Sequence, residues 1–308
     1  MSIKILHKGI ADSIQDSGRY GYQHFGVQPN GCMDNLSGTL ANYILQNDLN
    51  SPVIELHFPS SKIQFLDDYI ICISGANFVP VLNEKSIPFN TPILVHNNDM
   101  LSMLQPIDGS IAYIAVKGTY NEPNWLNSHA FNAKRFNNDD ILNFVTLNHD
   151  LKLTLQQLIK DLDVSLIEQI QNNLFTNKEP IRFLPGPAWQ DLNENSLHDI
   201  LNKPFTISAQ RNRMGYHLNG PKLSTSISKS YLSSAVTKGT LQLLPNGDMI
   251  VLMADHQTIG GYANLGQIIL VDLPRFAQMK NGQPFKFRLT NLDTAQTLYR
   301  TMYAPFKH

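Results

Sequence analysis

The chain has 308 residues, 42% of them hydrophobic and 16% charged, with a formal net charge of −1. That length and composition build one large domain or two of ordinary size around a buried core, and exclude a disordered chain. The near-neutral charge offers no basic field for a phosphate backbone, which excludes a dedicated nucleic-acid binder.

In chain order, Ile3 and Ile5 alternate with polar residues and predict a strand over residues 3–6, not a signal peptide. Asp34 suits the cap of a helix running to about Gln46, with Leu36, Leu40, Ala41, Ile44 and Leu45 on one face. Apolar runs predict strands over residues 69–74, 93–96 and 111–116. A helical pattern follows over residues 151–174, and Asp163 between its halves allows two shorter helices. Further strands are expected over residues 181–184, 205–208, 249–254 and 267–271. A short helix starts near Leu273-Pro274, where proline suits the first turn, and ends before Asn281-Gly282. Breakers such as Asp108-Gly109, Pro185-Gly186-Pro187 and Asn246-Gly247 separate the runs.

This density of short strands predicts a mainly β protein with a few helices (α+β), its sheets curled into barrels or sandwiches. The helical region separates two strand-rich halves. The expected domains are residues 1–179, with a helical linker at about 150–178, and residues 180–308. No stretch approaches the roughly 20 apolar residues of a membrane span. Cys32 and Cys72 read as two free thiols of a cytoplasmic protein, and no Cys/His spacing resembles a zinc site.

Common catalytic templates are absent: there is no Walker A loop, no Gly-x-Ser-x-Gly elbow and no His-Glu-x-x-His. Three polar segments punctuated by glycine carry the candidate chemistry. In the first, Gln15, Asp16, Arg19 and Gln23 bring donors and acceptors to a loop turned by Gly18, Gly21 and Gly26. Asp16 and Arg19 can pair, fixing the guanidinium for a carboxylate or carbonyl ligand. A surface loop satisfying its own backbone is the equal alternative. In the second segment, residues 208–218, Arg213 with Gln210 can orient an anionic or ureido group from a rim loop. A solvated basic turn is the alternative there, and His217 reads as structural. In the third, an apolar strand delivers Asp255 to its C-terminal end. There it can act as a base or ligand-orienting carboxylate, with Gln257, Thr258 and Tyr262 as hydrogen-bonding partners. Gly260 and Gly261 let backbone approach a ligand. His256 is an acid or base by type, though a lone histidine is more often structural.

Together these segments resemble the biotin-dependent carboxyltransferase-like family, the group that includes the C subunit of 5-oxoprolinase (KipA) and the matching part of urea carboxylase. The likeness rests on Gln15-Asp16-x-Gly18-Arg19-x-Gly21-Tyr22-Gln23-His24, then Ser208-x-Gln210-x-x-Arg213-Met214-Gly215, and Asp255-x-Gln257-Thr258-x-Gly260-Gly261-Tyr262. Shorter matches are Leu184-Pro185-Gly186-Pro187, Gly239-x-Leu241-Gln242 and Asp272-Leu273-Pro274. The chain departs from the family pattern at Lys117-Gly118-Thr119-Tyr120, at residues 127–130, at His256 and at Ala263-Asn264.

The resemblance implies two cyclophilin-like β-barrel domains. It also implies membership of an ATP-dependent complex that opens 5-oxoproline to glutamate. The implied partners are a protein like the B subunit of 5-oxoprolinase (KipI-like) and a protein like its A subunit (lactam utilisation). Asp255 and Arg213 are then the expected catalytic residues. Gln15, Asp16, Arg19, Gln23, Gln210, Gln257, Thr258 and Tyr262 are the expected substrate-binding set. ATP is used by the complex, and this chain alone binds no cofactor or metal. No covalent biotin is expected, since Met279-Lys280-Asn281 lies in a helix-like stretch and lacks the Met-Lys-Met of a biotin hairpin. Two other readings come with the family: a regulator that binds a kinase-inhibitor partner, and a carboxyltransferase component of a urea carboxylase-like system.

Overall fold

Runs of β-branched and aromatic residues between turn residues make this protein mainly β, as its sequence predicts. The computed structural model describes residues 2–130, 134–146, 150–226 and 230–306. The chain divides into two units: residues 1–19 with 30–176, and residues 20–29 with 177–308. The stretch Tyr20–Pro29, assigned to the first domain on sequence grounds, therefore groups with the second unit.

The first unit contains two sheets. One has seven strands in the order Thr119–Tyr120, Ile141–Val145, Ser2–His7, Lys62–Phe65, Met100–Met103, Pro80–Leu82, Lys85–Ser86. The other has five: Ser13–Gln15, Val53–His57, Asp108–Val116, Tyr69–Asn77, Ile93–Val95. Ile3, Ile5, Ile63 and Phe65 of the first sheet share one core with Ile54, Leu56, Ile71, Ile73 and Ile114 of the second. Each such side chain gains roughly 1.5–3 kcal/mol on burial. Helix Asn35–Ile44 covers the strands Tyr69–Asn77 and Asp108–Val116 with Leu36, Leu40, Ala41 and Ile44, which explains their near-continuous apolar runs. Asp34 caps it as expected, accepting from Ser37 N at 3.0 Å.

The second unit is built on an eight-stranded sheet: Pro284–Phe285, Phe205–Arg211, Gly215–Asn219, Met249–Leu252, Thr240–Leu243, Ala263–Ile268, Ile181–Pro185, Phe287–Leu289. Its two edge strands are consecutive in the chain, separated by Lys286 alone. One pairs antiparallel with Phe205–Arg211 and the other parallel with Ile181–Pro185. This bent segment brings the sheet round into a nearly closed barrel, which removes its exposed edges. Phe285 and Phe287 pack ring to ring at 5.1 Å, and Phe287 lies 5.4 Å from Phe205 and 5.6 Å from Phe183. The closing segment is thus fixed by aromatic packing as well as by its ladders.

Several predicted bounds move. The helical stretch does split at Asp163, into Leu151–Lys160 and Val164–Gln171, each begun by an aspartate cap. The strand placed at 267–271 runs instead over Ala263–Ile268, because Asp272 N bonds back to the Ile269 carbonyl and turns the chain into helix Leu273–Gln278. That helix ends at Gln278, so Met279, Lys280 and Asn281 follow it rather than lie within it. Helices Glu194–Asn202 and Leu292–Tyr303 escape the periodicity reading. The first buries only Ser196 and Ile200, and the second buries no residue. Among the described residues no helix is long and apolar enough to cross a membrane.

Candidate functional site

Each unit holds one buried polar node drawn from the three segments. In the first unit the strand Ser13–Gln15 leads into a turn that buries Asp16 and Arg19, the latter 1% exposed. The Asp16 carboxylate accepts from Gly18 N (2.8 Å), Ser128 Oγ (2.9 Å) and His129 N (2.6 Å). Arg19 donates through Nη1 to Asn30 Oδ1 at 2.6 Å, through Nη2 to the Ala130 carbonyl and through Nε to the Trp125 carbonyl at 3.4 Å. Its guanidinium also lies 4.7 Å from the Trp125 ring centroid.

The pairing of Asp16 with Arg19 suggested by sequence is therefore replaced by a shared task. The carboxylate binds N–H and O–H groups of residues 125–130, and the guanidinium binds carbonyls of the same segment. Where backbone groups of this segment lose water, at Ser128 and Ala130 above all, both kinds of partner are needed. Gln15 is buried, with Nε2 on Ser13 Oγ at 2.8 Å. Gly31 has φ +88°, and a Cβ there would lie 2.8 Å from Gly18 N and 2.9 Å from the Asp16 carbonyl. That carbonyl accepts from Cys32 N, so only glycine keeps the turn closed.

Beside this turn lies a cluster that sequence reasoning missed. Glu55 is fully buried and accepts from Met33 N at 2.8 Å and Tyr113 Oη at 2.9 Å, with His57 Nε2 at 3.1 Å from its other oxygen. The available signal was a glutamate inside an otherwise apolar strand. Cys32 and Cys72 are both buried and neither is in a disulfide; burial pushes the Cys72 thiol well above the usual range, which makes it inert.

In the second unit, strand Phe205–Arg211 extends further than predicted. The connection to Gly215–Asn219 is only Asn212, Arg213 and Met214, and Gln210 sits exposed on the strand itself. Arg213 binds Asp255 through two parallel bonds, Nε to Oδ2 and Nη2 to Oδ1, each 2.9 Å. Both side chains are 13% exposed. The backbone repeats the pairing: Asp255 N donates to the Arg213 carbonyl at 2.7 Å, and Met253 N to the Met214 carbonyl at 3.0 Å. Gln28 Nε2 holds the Asp255 carbonyl at 2.9 Å. Asp255 is thus fixed through its N–H, its carbonyl and its carboxylate. No sequence signal pointed to Gln28.

The remaining predicted residues lie around or apart from this pair. Gln23 Oε1 accepts from Gly21 N at 2.8 Å, within its own turn. Gln257 and Thr258 are half-buried, the Thr258 carbonyl accepting from Val236 N, and Tyr262 is exposed. The structure brings Arg213, Asp255, Gln257 and Thr258 onto adjoining turns, whereas Gln15, Asp16 and Arg19 belong to the other unit. Among the described residues no group of three metal-ligating side chains occurs. A forked arginine–carboxylate pair of this kind is a rigid, charge-balanced anchor for a hydrogen-bonding ligand.

Residues 25–289 match the family model described as carboxyltransferase domain, subdomain A and B. The chain belongs to this family. It is 29% identical to the C subunit of 5-oxoprolinase from Escherichia coli strain K12 over 95% of this chain and 93% of that protein. It is 30% identical to the C subunit of 5-oxoprolinase from Haemophilus influenzae over 97% and 94% of the two chains. Urea amidolyase of Saccharomyces cerevisiae is 26% identical over 96% of this chain but only 17% of its own length. Among solved structures, the Kluyveromyces lactis urea amidolyase superposes with a TM-score of 0.85 at 23% identity, covering 99% of this chain and 20% of that one. Its fold is therefore shared.

Where the resemblance noted a departure at His256, this member of the family buries a neutral imidazole. His256 is 2% exposed, its Nδ1 donates to the Gln257 carbonyl at 2.6 Å, and burial pushes its pKa below 6.5. The sign follows. The unfolded chain takes up a proton near pH 6.5 that the folded chain resists, so this stabilisation is complete above pH 6.5 and lost as pH falls through the lowered folded value. His256→Asn keeps a donor for the Gln257 carbonyl and does not titrate. The stability of that variant, measured by denaturant titration from pH 7.5 to 5, is expected to fall less steeply than wild type, by up to about 1.4 kcal/mol per pH unit. Equal slopes would show that His256 titrates normally.

Proposed function

We propose that this chain is one subunit of an ATP-dependent 5-oxoprolinase complex that converts 5-oxoproline to glutamate. The observation that carries this reading is similarity to two 5-oxoprolinase C subunits over 93% and 94% of their lengths. A C subunit implies companions. The partners in this reading are a protein like the B subunit and a lactam-utilisation protein like the A subunit, and the isolated chain is inactive. A five-membered lactam is a stable amide, so its opening needs activation by ATP. In this reading the lactam oxygen is phosphorylated elsewhere in the complex. Water adds at the carbonyl carbon, the ring C–N bond breaks with the nitrogen taking a proton to become the amine, and the γ-acyl phosphate left behind is hydrolysed by a second water to glutamate and inorganic phosphate. This chain contributes binding of the substrate or its activated form at the Arg213–Asp255 node.

Asp16 and Arg19 act in this reading as positioning residues that set the 125–130 segment. The chain carries no covalent biotin and works in the cytoplasm. The test is reconstitution: the three purified proteins with ATP and 5-oxoproline release glutamate, and leaving out this chain abolishes release. Full activity without it would overturn the reading.

The urea amidolyase relatives support a second reading, a carboxyltransferase component serving a biotin-bearing partner. It ranks below the first because the match spans only 17% of those proteins. It predicts an activity that avidin blocks, whereas glutamate release from 5-oxoproline is insensitive to avidin.

A further inference from the structure

The second unit takes in one stretch from the far end of the chain, Tyr20–Pro29, which groups with residues 177–308. The two glutamines near its middle and end do different work. Gln23 accepts from Gly21 N and closes its own turn. Gln28 reaches out of the stretch, its Nε2 donating to the Asp255 carbonyl at 2.9 Å across 227 positions.

The stretch gains little from packing. Tyr20 is 57% exposed and Phe25 75% exposed, and Gly21, His24 and Gly26 are exposed as well. A segment with few buried contacts lies at the low end of local stability, so specific bonds decide where it sits. Pro29 is buried, and the residue before a proline is confined to extended backbone. The main chain of Gln28 is thus set before its amide engages.

The Asp255 carbonyl and the His256 N–H belong to one peptide unit. His256 N donates to the Met253 carbonyl at 3.1 Å, and Gln28 holds the opposite side. The preceding peptide is held by Asp255 N on the Arg213 carbonyl at 2.7 Å. Peptides are planar, so fixing the two around Asp255 fixes its φ and ψ, and with them the Cα–Cβ direction that aims the carboxylate. The fork needs that aim, because its two parallel 2.9 Å bonds form only with carboxylate and guanidinium in one plane. A neutral donor suits the place. A cationic side chain there would compete with Arg213 for the carboxylate, whereas an amide N–H binds the carbonyl and leaves the carboxylate to the fork.

We propose that Gln28 is a positioning residue of the Arg213–Asp255 node: through the Asp255 carbonyl it holds the carboxylate in the plane of the fork. The consequence for 5-oxoproline rests on the oxoprolinase reading; the consequence for the fork does not.

The first measurement needs no substrate. Arg213 Nε–H donates to Asp255 Oδ2, so its NMR signal, identified by its loss in Arg213→Lys, exchanges slowly with water. Gln28→Met, close in volume and without a donor, should speed that exchange about tenfold, the scale of one hydrogen bond. Unchanged exchange would overturn the proposal. The second measurement uses the reconstituted complex, well below the melting temperature of each variant so that global unfolding adds nothing. Gln28→Met should lower kcat/KM for 5-oxoproline about tenfold. Gln28→Glu isolates the donor: its carboxylate cannot donate to a carbonyl, and its protonated form can. A carboxyl facing a carbonyl oxygen ionises above the usual glutamate value of about 4.3. The ratio of Gln28→Glu to wild-type kcat/KM should therefore rise as pH is lowered from about 8 to about 5.5. A flat ratio, or full kcat/KM in Gln28→Met, would also overturn the proposal. The two proposals fail separately. Faster Arg213 Nε–H exchange in Gln28→Met, in a chain whose wild-type complex releases no glutamate, keeps Gln28 as the positioning residue and removes the oxoprolinase reading. Glutamate release that Gln28→Met leaves undiminished removes the Gln28 role alone.

Discussion

Replacing Asp255 by alanine is expected to lower glutamate release by the reconstituted complex about a hundredfold, the scale of loss when a positioning group is displaced by an ångström or so. Asp255 is held through two 2.9 Å bonds to Arg213, a 2.7 Å backbone bond to the same residue, and Gln28 on its carbonyl. Alanine keeps the backbone contacts and removes the fork. The Arg213 guanidinium then loses the partner that fixes its plane, in a site where both side chains were 13% exposed. Stability should fall by roughly 2 kcal/mol, less than for a fully buried pair because some water reaches the site. Arg213→Lys is the sharper companion. A lysine keeps the charge but replaces a planar fork by a point donor, so it should recover most of the stability and little of the activity. Full glutamate release by Asp255→Ala would show that the pair only buttresses its turn. It would move attention to the alternative reading, in which the chain binds and regulates a partner protein.

How much of this was legible in the sequence varies by scale. Part of the two cores was visible, because β-branched and aromatic runs end at glycine, proline or asparagine; Val53–His57, Lys62–Phe65 and Thr240–Leu243, interrupted by polar or charged residues, were passed over. Asp34 announces its helix as a cap and Asp163 marks a break, whereas Asp150 and Asp163 show their capping role only in the structure. Helices Glu194–Asn202 and Leu292–Tyr303 carry asparagine caps but bury almost nothing, and a reading built on apolar periodicity passes over them. The barrel closure was out of reach, since a short run bent at Lys286 reads as one edge strand until both of its partners are known.

Site residues divide in the same way. Asp255 was legible because an apolar strand delivers it, and its fork with Arg213 was not, because the partners are 42 residues apart. The N-terminal signature looked like one loop. Its first part, with Asp16 and Arg19, belongs to one unit, and Tyr20–Pro29, with Gln23 and Gln28, to the other. A contiguous motif hides that division, because spacing along the chain carries no information about which core each residue joins. Gln242 entered the sequence reading only as part of the short match Gly239-x-Leu241-Gln242, with no role of its own. Only the absence of a partner for its amide, a property of packing, sets it apart.

Arg19→Ala should produce the largest loss of stability. The side chain is 1% exposed and serves Asn30 Oδ1, the Ala130 carbonyl, the Trp125 carbonyl and the Trp125 ring. Truncation leaves buried acceptors unsatisfied, opens a cavity and frees the indole from its stacked cation. Each acceptor costs roughly 1–3 kcal/mol, and the cavity adds to this. A total of about 3–5 kcal/mol is expected, a melting-temperature fall on the order of 10 °C for a domain of this size. Denaturant titration followed by Trp125 fluorescence measures it, with Trp189 replaced to leave one reporter in the first unit. Arg19→Lys separates charge from shape. One ammonium cannot span Asn30 and Ala130 while stacking on Trp125, so lysine should recover less than half of the loss. Recovery to within about 0.5 kcal/mol of wild type would show that charge alone is needed, and that the fork holding residues 125–130 is not what keeps this turn in place. Because Arg19, Asn30, Trp125 and Ala130 belong to the first unit, the loss should appear in the transition that reports on that unit. An equal shift in a reporter of the second unit would mean that the two unfold as one.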